Sequence, residues 1–395
     1  MSHRHHARHD RASATTVAVT SAPLSAAVDT LKKGFSSRRR RIGRLAAPAA
    51  AIAMIGGLSA VAAPAEAATA PSATVSSGTL SVVGTAARDT AAIVVNGSFV
   101  TVDFGIDGTV DARFARSQVQ QIQAELFGGN DGVSVTGAGQ VPVTVSGGAG
   151  SDGIGVVGDI GSFGDSDAPT TVNGNDGDDG IFVATPGPVT VLGGAGDDNV
   201  DGGGAGVGQE RIALGGGNDV FLSELNTFIG ARSDTVDGGT GVDRLDLQGT
   251  FASESLGLAA NAGHLVVDDG RAHVDSDNVE NVTFEGFGGL DGGDSVAVND
   301  LSGTDVVRFT PDFSAPQDPT SPNNSDDQLT IRGTDKVDTI TVSGTGANIT
   351  VSGLTPLVTP VSLRSPDVLR IDTLAGADVV DSSGLARNLV QLQVF

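Results

Sequence analysis

Six aspartates occupy one place in a glycine-rich phrase that returns along the middle of the chain. Gly147 to Ile154 reads GGAGSDGI, Gly193 to Val200 reads GGAGDDNV and Gly238 to Leu245 reads GGTGVDRL; all three follow G-G-x-G-x-D-x-U, with U a large apolar residue. Looser copies run from Gly174 to Ile181 (GNDGDDGI), Gly215 to Phe221 (GGGNDVF) and Gly128 to Val133 (GGNDGV). These residue types suit a hard cation. Glycines reach positive φ, so a six-residue loop can turn tightly and aim its carbonyl oxygens at one point. The aspartate adds an anionic oxygen, and Ca²⁺ takes roughly six to eight oxygen ligands. The candidate ligands are the carboxylates of Asp131, Asp152, Asp179, Asp198, Asp219 and Asp243. Beside them stand the turn glycines Gly147, Gly148, Gly150, Gly174, Gly177, Gly193, Gly194, Gly196, Gly216, Gly238, Gly239 and Gly241. Phosphate is a poor fit for the glycines, because no G-K-[ST] follows and the surroundings are acidic.

The elements that must position these loops are legible on either side of them. The aspartates step by 21, 27, 19, 21 and 24 residues, which implies one loop per coil. Before the glycine turns come alternating runs such as Val143-Thr144-Val145, Val189-Thr190-Val191 and Ile212-Ala213-Leu214. After the aspartates come Val133 and Val135, Ile154 and Val156, Ile181 and Val183, Leu245 and Leu247. Period-two alternation predicts half-buried strands. Two short strands per coil, joined on one edge by the glycine loop, predict an all-β fold: a right-handed parallel β-solenoid with its aspartates in a ladder. Carboxylates about 5 Å apart in such a ladder repel by roughly 3 kcal/mol at an effective dielectric near 20, so a cation between them is favoured.

The phrase is similar to the nonapeptide of the RTX, or hemolysin-type, calcium-binding repeats. The likeness extends into Asn299 to Val306, Gly333 to Val342 and Asp372 to Leu385, and covers roughly Gly128 to Phe395. It implies a secreted bacterial β-solenoid whose cofactor is Ca²⁺. In that family a dense run of nonapeptides often follows such a passage; here the sequence stops at Val390 to Phe395, where another glycine turn is expected.

Toward that end the aspartate and its apolar follower persist in worn form at Asp294, Asp338 and Asp378, and Asp294 joins the expected calcium ligands. His264 to Asp275 predicts a β-hairpin around Asp269-Gly270, a favoured two-residue turn. In that register Leu265, Val267, Ala272 and Val274 face inward, while His264, His273 and Asp275 share a solvated outer face. Gly202 to Gly208 and Thr250 to Asn261 read as loop or turn material, and Thr310 to Gln328 as a Pro/Asp/Asn-rich loop. Gln118 to Leu126 has some helical spacing, but its place before Gly128-Gly129 predicts a strand.

Charge separates a leader from the rest. The first 67 residues hold ten of the 23 basic residues and three of the 47 acidic ones, which leaves the remainder at −31. Such acidity argues against nucleic acid and anionic membrane as partners and for cations. Arg38 to Arg41, an Ala-rich apolar run from Leu45 to Ala63 and Ala65-Glu66-Ala67 have the order of a secretory signal peptide. The expected organisation is therefore a leader at 1–67, a linker at 68–78, N-terminal strands at 79–118, calcium-binding coils at 119–250 and degenerate coils at 251–395. With no Cys there are no disulfides, so a secreted chain must hold itself by stacking and metal.

The expected function is a non-enzymatic extracellular calcium-binding module, on a surface or in a matrix, with no transmembrane span in the mature chain. An alternative is a calcium-dependent polysaccharide lyase or epimerase using Arg211, Arg232 or Arg244, but no Tyr or Trp is present to stack on sugars. A third is the remnant of a toxin or adhesin. N-terminal sequencing of exported material should begin near Ala68; a product still carrying Arg38 to Arg41 would contradict the leader.

Overall fold

The alternating runs fold as strands because each second side chain can enter a shared core while the others face water. A computed structural model describes residues 68–158, 168–202, 209–225, 232–250, 253–270, 272–286, 293–315, 318–322, 326–345 and 348–395. The expected leader at 1–67 and the stretch 203–208 lie outside the described residues. Among those described, the chain forms two 15-stranded sheets and a small two-stranded one. The only helical pieces there are short 3-10 turns at Arg116–Gln118 and Ala138–Gln140.

Successive strands alternate between the two long sheets. Gln121–Glu125, Val143–Ala149, Thr170–Asp176, Val189–Ala195, Glu210–Gly217 and Arg232–Gly241 lie side by side in the first. Gly132–Thr136, Gly153–Val157, Gly180–Ala184, Asn199–Asp201, Val220–Glu224 and Arg244–Gln248 do so in the second. Neighbours in these runs are parallel and in register, so like side chains stack in columns. One inward column is Val145, Val172, Val191, Ile212 and Val236; the facing sheet supplies Ile154, Ile181, Val200, Phe221, Leu245 and Val282. None of these is more than 3% exposed, and they belong to one continuous core. The arrangement is all-β and β-solenoid-like, with one glycine turn per coil between Gly128 and Leu247. We call the side where the chain passes from first sheet to second the glycine edge, and the other the return edge.

Several segments differ from expectation. The 68–78 linker contains Ser72–Ser76, paired antiparallel with Thr79–Val83 at the outer position of the first sheet. An antiparallel meander of Thr90–Val95, Phe99–Phe104 and Ala112–Ala115 holds the same end of the second. The predicted hairpin is present as His264–Asp268 with Ala272–Asp277, but Asp268 lies opposite His273, so the strands are not joined by the expected two-residue turn. The supposed turn material before it is the strand Ser255–Asn261, which buries Leu256 and Leu258 and pairs antiparallel with His264–Asp268. The Pro-rich stretch contains strands too: Ser314–Ala315 pairs with Asp318–Pro322, next to a fully buried Phe313. Gln121–Glu125 is a strand as expected.

The hairpin inserts two extra antiparallel strands into the first sheet. The second sheet gains its own pair, Asn348–Ser352 and Leu357–Val358, between Arg308–Asp312 and Thr339–Thr345. The two insertions balance, and both sheets reach the same strand count.

Truncation of the core tests this packing. Leu214 is wholly buried, so Leu214→Ala should lower stability by about 2–5 kcal/mol, read as an earlier midpoint in chemical denaturation; an unchanged midpoint would contradict the core position.

Candidate functional site

The glycine edge brings all six predicted aspartates into one column. Each is at most 5% exposed. The backbone N–H of Asp131 donates to Asp152 Oδ1, Asp152 N–H to Asp179 Oδ1 and Asp179 N–H to Asp198 Oδ1, all at 2.8 Å. Asp198 N–H reaches Asp219 Oδ1 at 2.7 Å and Asp219 N–H reaches Asp243 Oδ1 at 2.8 Å. The column is longer than the repeats. Asp89 N–H donates to Asp131 Oδ1 at one end, and Asp243 N–H to Glu280 Oε2 at the other, both at 2.7 Å. Glu280 carries no glycine phrase, so only its place in the stack reveals it.

The second oxygen of each carboxylate is different. Oδ2 of Asp131, Asp152, Asp179, Asp198, Asp219 and Asp243 is buried with no hydrogen-bond partner. It turns under its own loop, where a Cβ on Gly147, Gly174, Gly193 or Gly238 would meet it. Those first glycines thus leave room for a carboxylate; they are not needed for positive φ. Leu126 and Leu214 stand in the same place five residues before Asp131 and Asp219, with their side chains buried.

The residue four before each aspartate explains the missing donor. Phe127, Gly148, Asn175, Gly194, Gly215 and Gly239 all have positive φ, between 71° and 123°, and their N–H groups do not reach the carboxylate. In two other turns a threonine takes that place. Thr85 N–H donates to Asp89 Oδ2 at 2.5 Å, and Thr334 N–H to Asp338 Oδ2 at 2.7 Å. There the aspartate is satisfied by its own turn.

The fourth residue of the turn adds a backbone column. A Cβ on Gly150 or Gly196 would strike the carbonyl oxygen of Gly129 or Gly177 in the preceding coil. Both residues also have φ near 133°, a conformation side chains disfavour. Outside the buried ladder runs an exposed one, with Asp197 N–H donating to Asp178 Oδ1 at 3.0 Å and Asn218 N–H to Asp197 Oδ1 at 2.8 Å.

Burial is the main influence on the titration of the column. It pushes Asp179, Asp198 and Asp243 up to about 7 and Asp131 and Asp219 up to about 6, against the N–H donors that favour the charged form. Asp152 is raised by the same cause.

Not every predicted residue falls into this frame. Gly216 is the third residue of its turn, and Gly215 and Gly217 carry the positive φ there. Asp294 lies on the opposite, return edge, before the strand Ser295–Val298 of the first sheet. Arg211 and Arg244 are in different sheets, and Arg244 is held by Asp246 through two 2.7 Å hydrogen bonds; the side chain of Arg232 lies outside the described residues. His264 Nδ1 pairs with Asp275 Oδ1 at 2.8 Å on the half-exposed hairpin face.

Chemically, the glycine edge offers only oxygen donors: one unpartnered carboxylate oxygen per coil beside stacked carbonyls. That donor set fits a hard cation and not a thiophilic one. Among the described residues no three His, Cys, Asp or Glu side chains group as a metal site; the carbonyl oxygens of the turns are the further donors beside each carboxylate. Among the same residues no helix is long and apolar enough to cross a membrane. No protein-family model matches the chain, and no curated protein shows significant similarity to it.

A pH dependence follows. Raised carboxyl pKa values mean that the folded chain holds protons the unfolded chain has lost above its ordinary carboxylate range near 4. That stability is fully present below about pH 4 and is lost as pH rises toward about 7. In chelator the melting temperature should therefore fall between pH 5 and 8 (roughly the span set by these values), as scanning calorimetry can record. A rise over that range would contradict the buried column.

Proposed function

We propose that the chain is an extracellular calcium-binding protein of the RTX, hemolysin-like type, a right-handed β-solenoid whose glycine edge folds together with calcium. One observation carries this reading. Six consecutive coils each bury a carboxylate oxygen without a donor, whereas the threonine turns at Asp89 and Asp338 supply one. An unsatisfied buried carboxylate is costly unless it is paired or coordinated. Asp131, Asp152, Asp179, Asp198, Asp219 and Asp243 would hold the ions, with carbonyl oxygens of the glycine turns. Bound calcium would supply the positive charge that the column lacks.

The chain's own residues do the rest. The Oδ1 ladder fixes each carboxylate against the next coil, so the orientation of Oδ2 is inherited from the stack. The positive-φ residue withholds the N–H that would otherwise neutralise the site. Many glycines make ordering the chain entropically unfavourable, and each saturated site adds about 2.7 kcal/mol at a hundredfold excess over Kd. A few sites match the whole stability of a domain, about 5–15 kcal/mol. Folding then waits for the calcium found outside cells, which also fits the basic, apolar, small-residue leader.

The role is binding and architecture, with a cell surface or matrix as setting, and no catalysis. A second reading is favoured by the N–H···Oδ1 ladder itself: the aspartates act purely as coil-to-coil staples and keep their protons. Circular dichroism of the chain after chelation, titrated with calcium at pH 8, separates the two. The β signal and melting temperature should rise with calcium, and Asp198→Asn should weaken that response. If both are identical in chelator and in calcium, the staple reading stands and calcium-coupled folding fails.

A further inference from the structure

The return edge carries an acidic column of its own, built without the glycine phrase. Glu254 N–H donates to Asp294 Oδ1 at 3.0 Å, Asp294 N–H to Asp327 Oδ1 at 2.8 Å and Asp327 N–H to Asp367 Oδ1 at 3.2 Å. Glu254 and Asp294 are 6% and 1% exposed. Glu254 Oε1 accepts the Thr250 N–H at 2.8 Å and also the Thr250 hydroxyl. Glu254 Oε2 and Asp294 Oδ2 are buried and receive no hydrogen bond.

These two oxygens come from adjacent coils and flank one aromatic ring. A Cβ on Gly249 would lie 3.3 Å from both Glu254 Oε2 and Phe284 Cε2. A Cβ on Gly286 would meet Asp294 Oδ2 and lie 3.1 Å from Phe284 Cε1. Phe284 is wholly buried, so it shields the pair from water on one side. The Glu254 carboxyl also acts on Asp294. Asp294 is pushed up to about 8, first by burial and then by the Glu254 carboxyl beside it.

We propose that Glu254 and Asp294 form a separate cation site on the return edge, taking a hard divalent ion such as calcium between their unpartnered oxygens. The Glu254 N–H at Asp294 Oδ1 favours the ionised form of Asp294, and two carboxylates brought together in one desolvated place call for a counter-charge. A lone proton shared by the pair is the competing occupant. The site uses none of the residues of the glycine edge, so it stands or falls independently of that edge.

Equilibrium dialysis of the full chain with radioactive calcium at pH 8.5, above the range (about 8) to which Asp294 is raised, tests the assignment. The Glu254→Gln/Asp294→Asn double variant should bind one ion fewer than the parent, and Asp198→Asn should reduce binding further when combined with it. Glu254→Gln alone keeps the backbone ladder intact and should lose the same ion, which guards against a double variant that fails to fold. Unchanged calcium stoichiometry and affinity in folded Glu254→Gln would overturn the proposal. So would a shift in melting temperature that is equal in chelator and in calcium, since that is the signature of a pair holding only a proton. Loss of the ion here, with no effect of Asp198→Asn, would uphold this site while removing the glycine edge as a calcium site.

Discussion

The hydrogen bond from an aspartate N–H to the carboxylate of the next coil is the contact on which the rest of the structure depends. Parallel strands stack readily through their own ladders, but a tight turn interrupts that pairing and leaves backbone donors to satisfy. At the glycine edge the carboxylate of the following coil takes over the role of the missing carbonyl. Because Oδ1 is used this way at every step, Oδ2 has one orientation in all six coils. The chemistry of the edge follows from that geometry: a structural bond on one oxygen leaves the other to a cation or a proton.

The same device operates twice, on opposite sides. The glycine-edge column runs from Asp89 to Glu280, and the return-edge column from Glu254 to Asp367. A shorter link joins Glu210 N–H to Asp234 Oδ1 at 3.0 Å on the return edge, level with the glycine repeats. The two columns meet in the sequence near the hairpin, where buried Ser276 stands between Val236 and Leu265 in the inward column of the first sheet. Acidic staples thus pass from one edge to the other as the glycine phrase fades. Near the end of the chain the glycine edge is stapled again, through Asp338 N–H to Asp378 Oδ1 at 2.8 Å.

The balance of the inserted strands has a physical cause. A coil must span both sheets, so an extra hairpin in one sheet would leave the other short of partners and expose its inward face. The first sheet's insertion buries Leu256, Leu258, Leu265 and Val267, and the second sheet's buries Ile349, Val351 and Val358. Each pair adds apolar side chains to the shared core.

Sequence alone determined the repeating unit, since glycine and aspartate at fixed offsets and strands of period two are local properties. The six aspartates, the strands on either side of them and the hairpin at Asp269-Gly270 were all legible for that reason. Strands without a repeat, such as Ser72–Ser76 and Ser255–Asn261, were not, because their pairing partners decide their state more than their own residues do. Only the tertiary structure decided which acid meets which. Glu254 and Asp294 are 40 residues apart, and Asp243 and Glu280 are 37 apart, with no motif to link them. It also decided which aspartates are satisfied. Thr85 and Thr334 differ from Gly148 and Gly194 in where the N–H points, and that direction is set by φ within a stacked turn, so residue type alone does not reveal it.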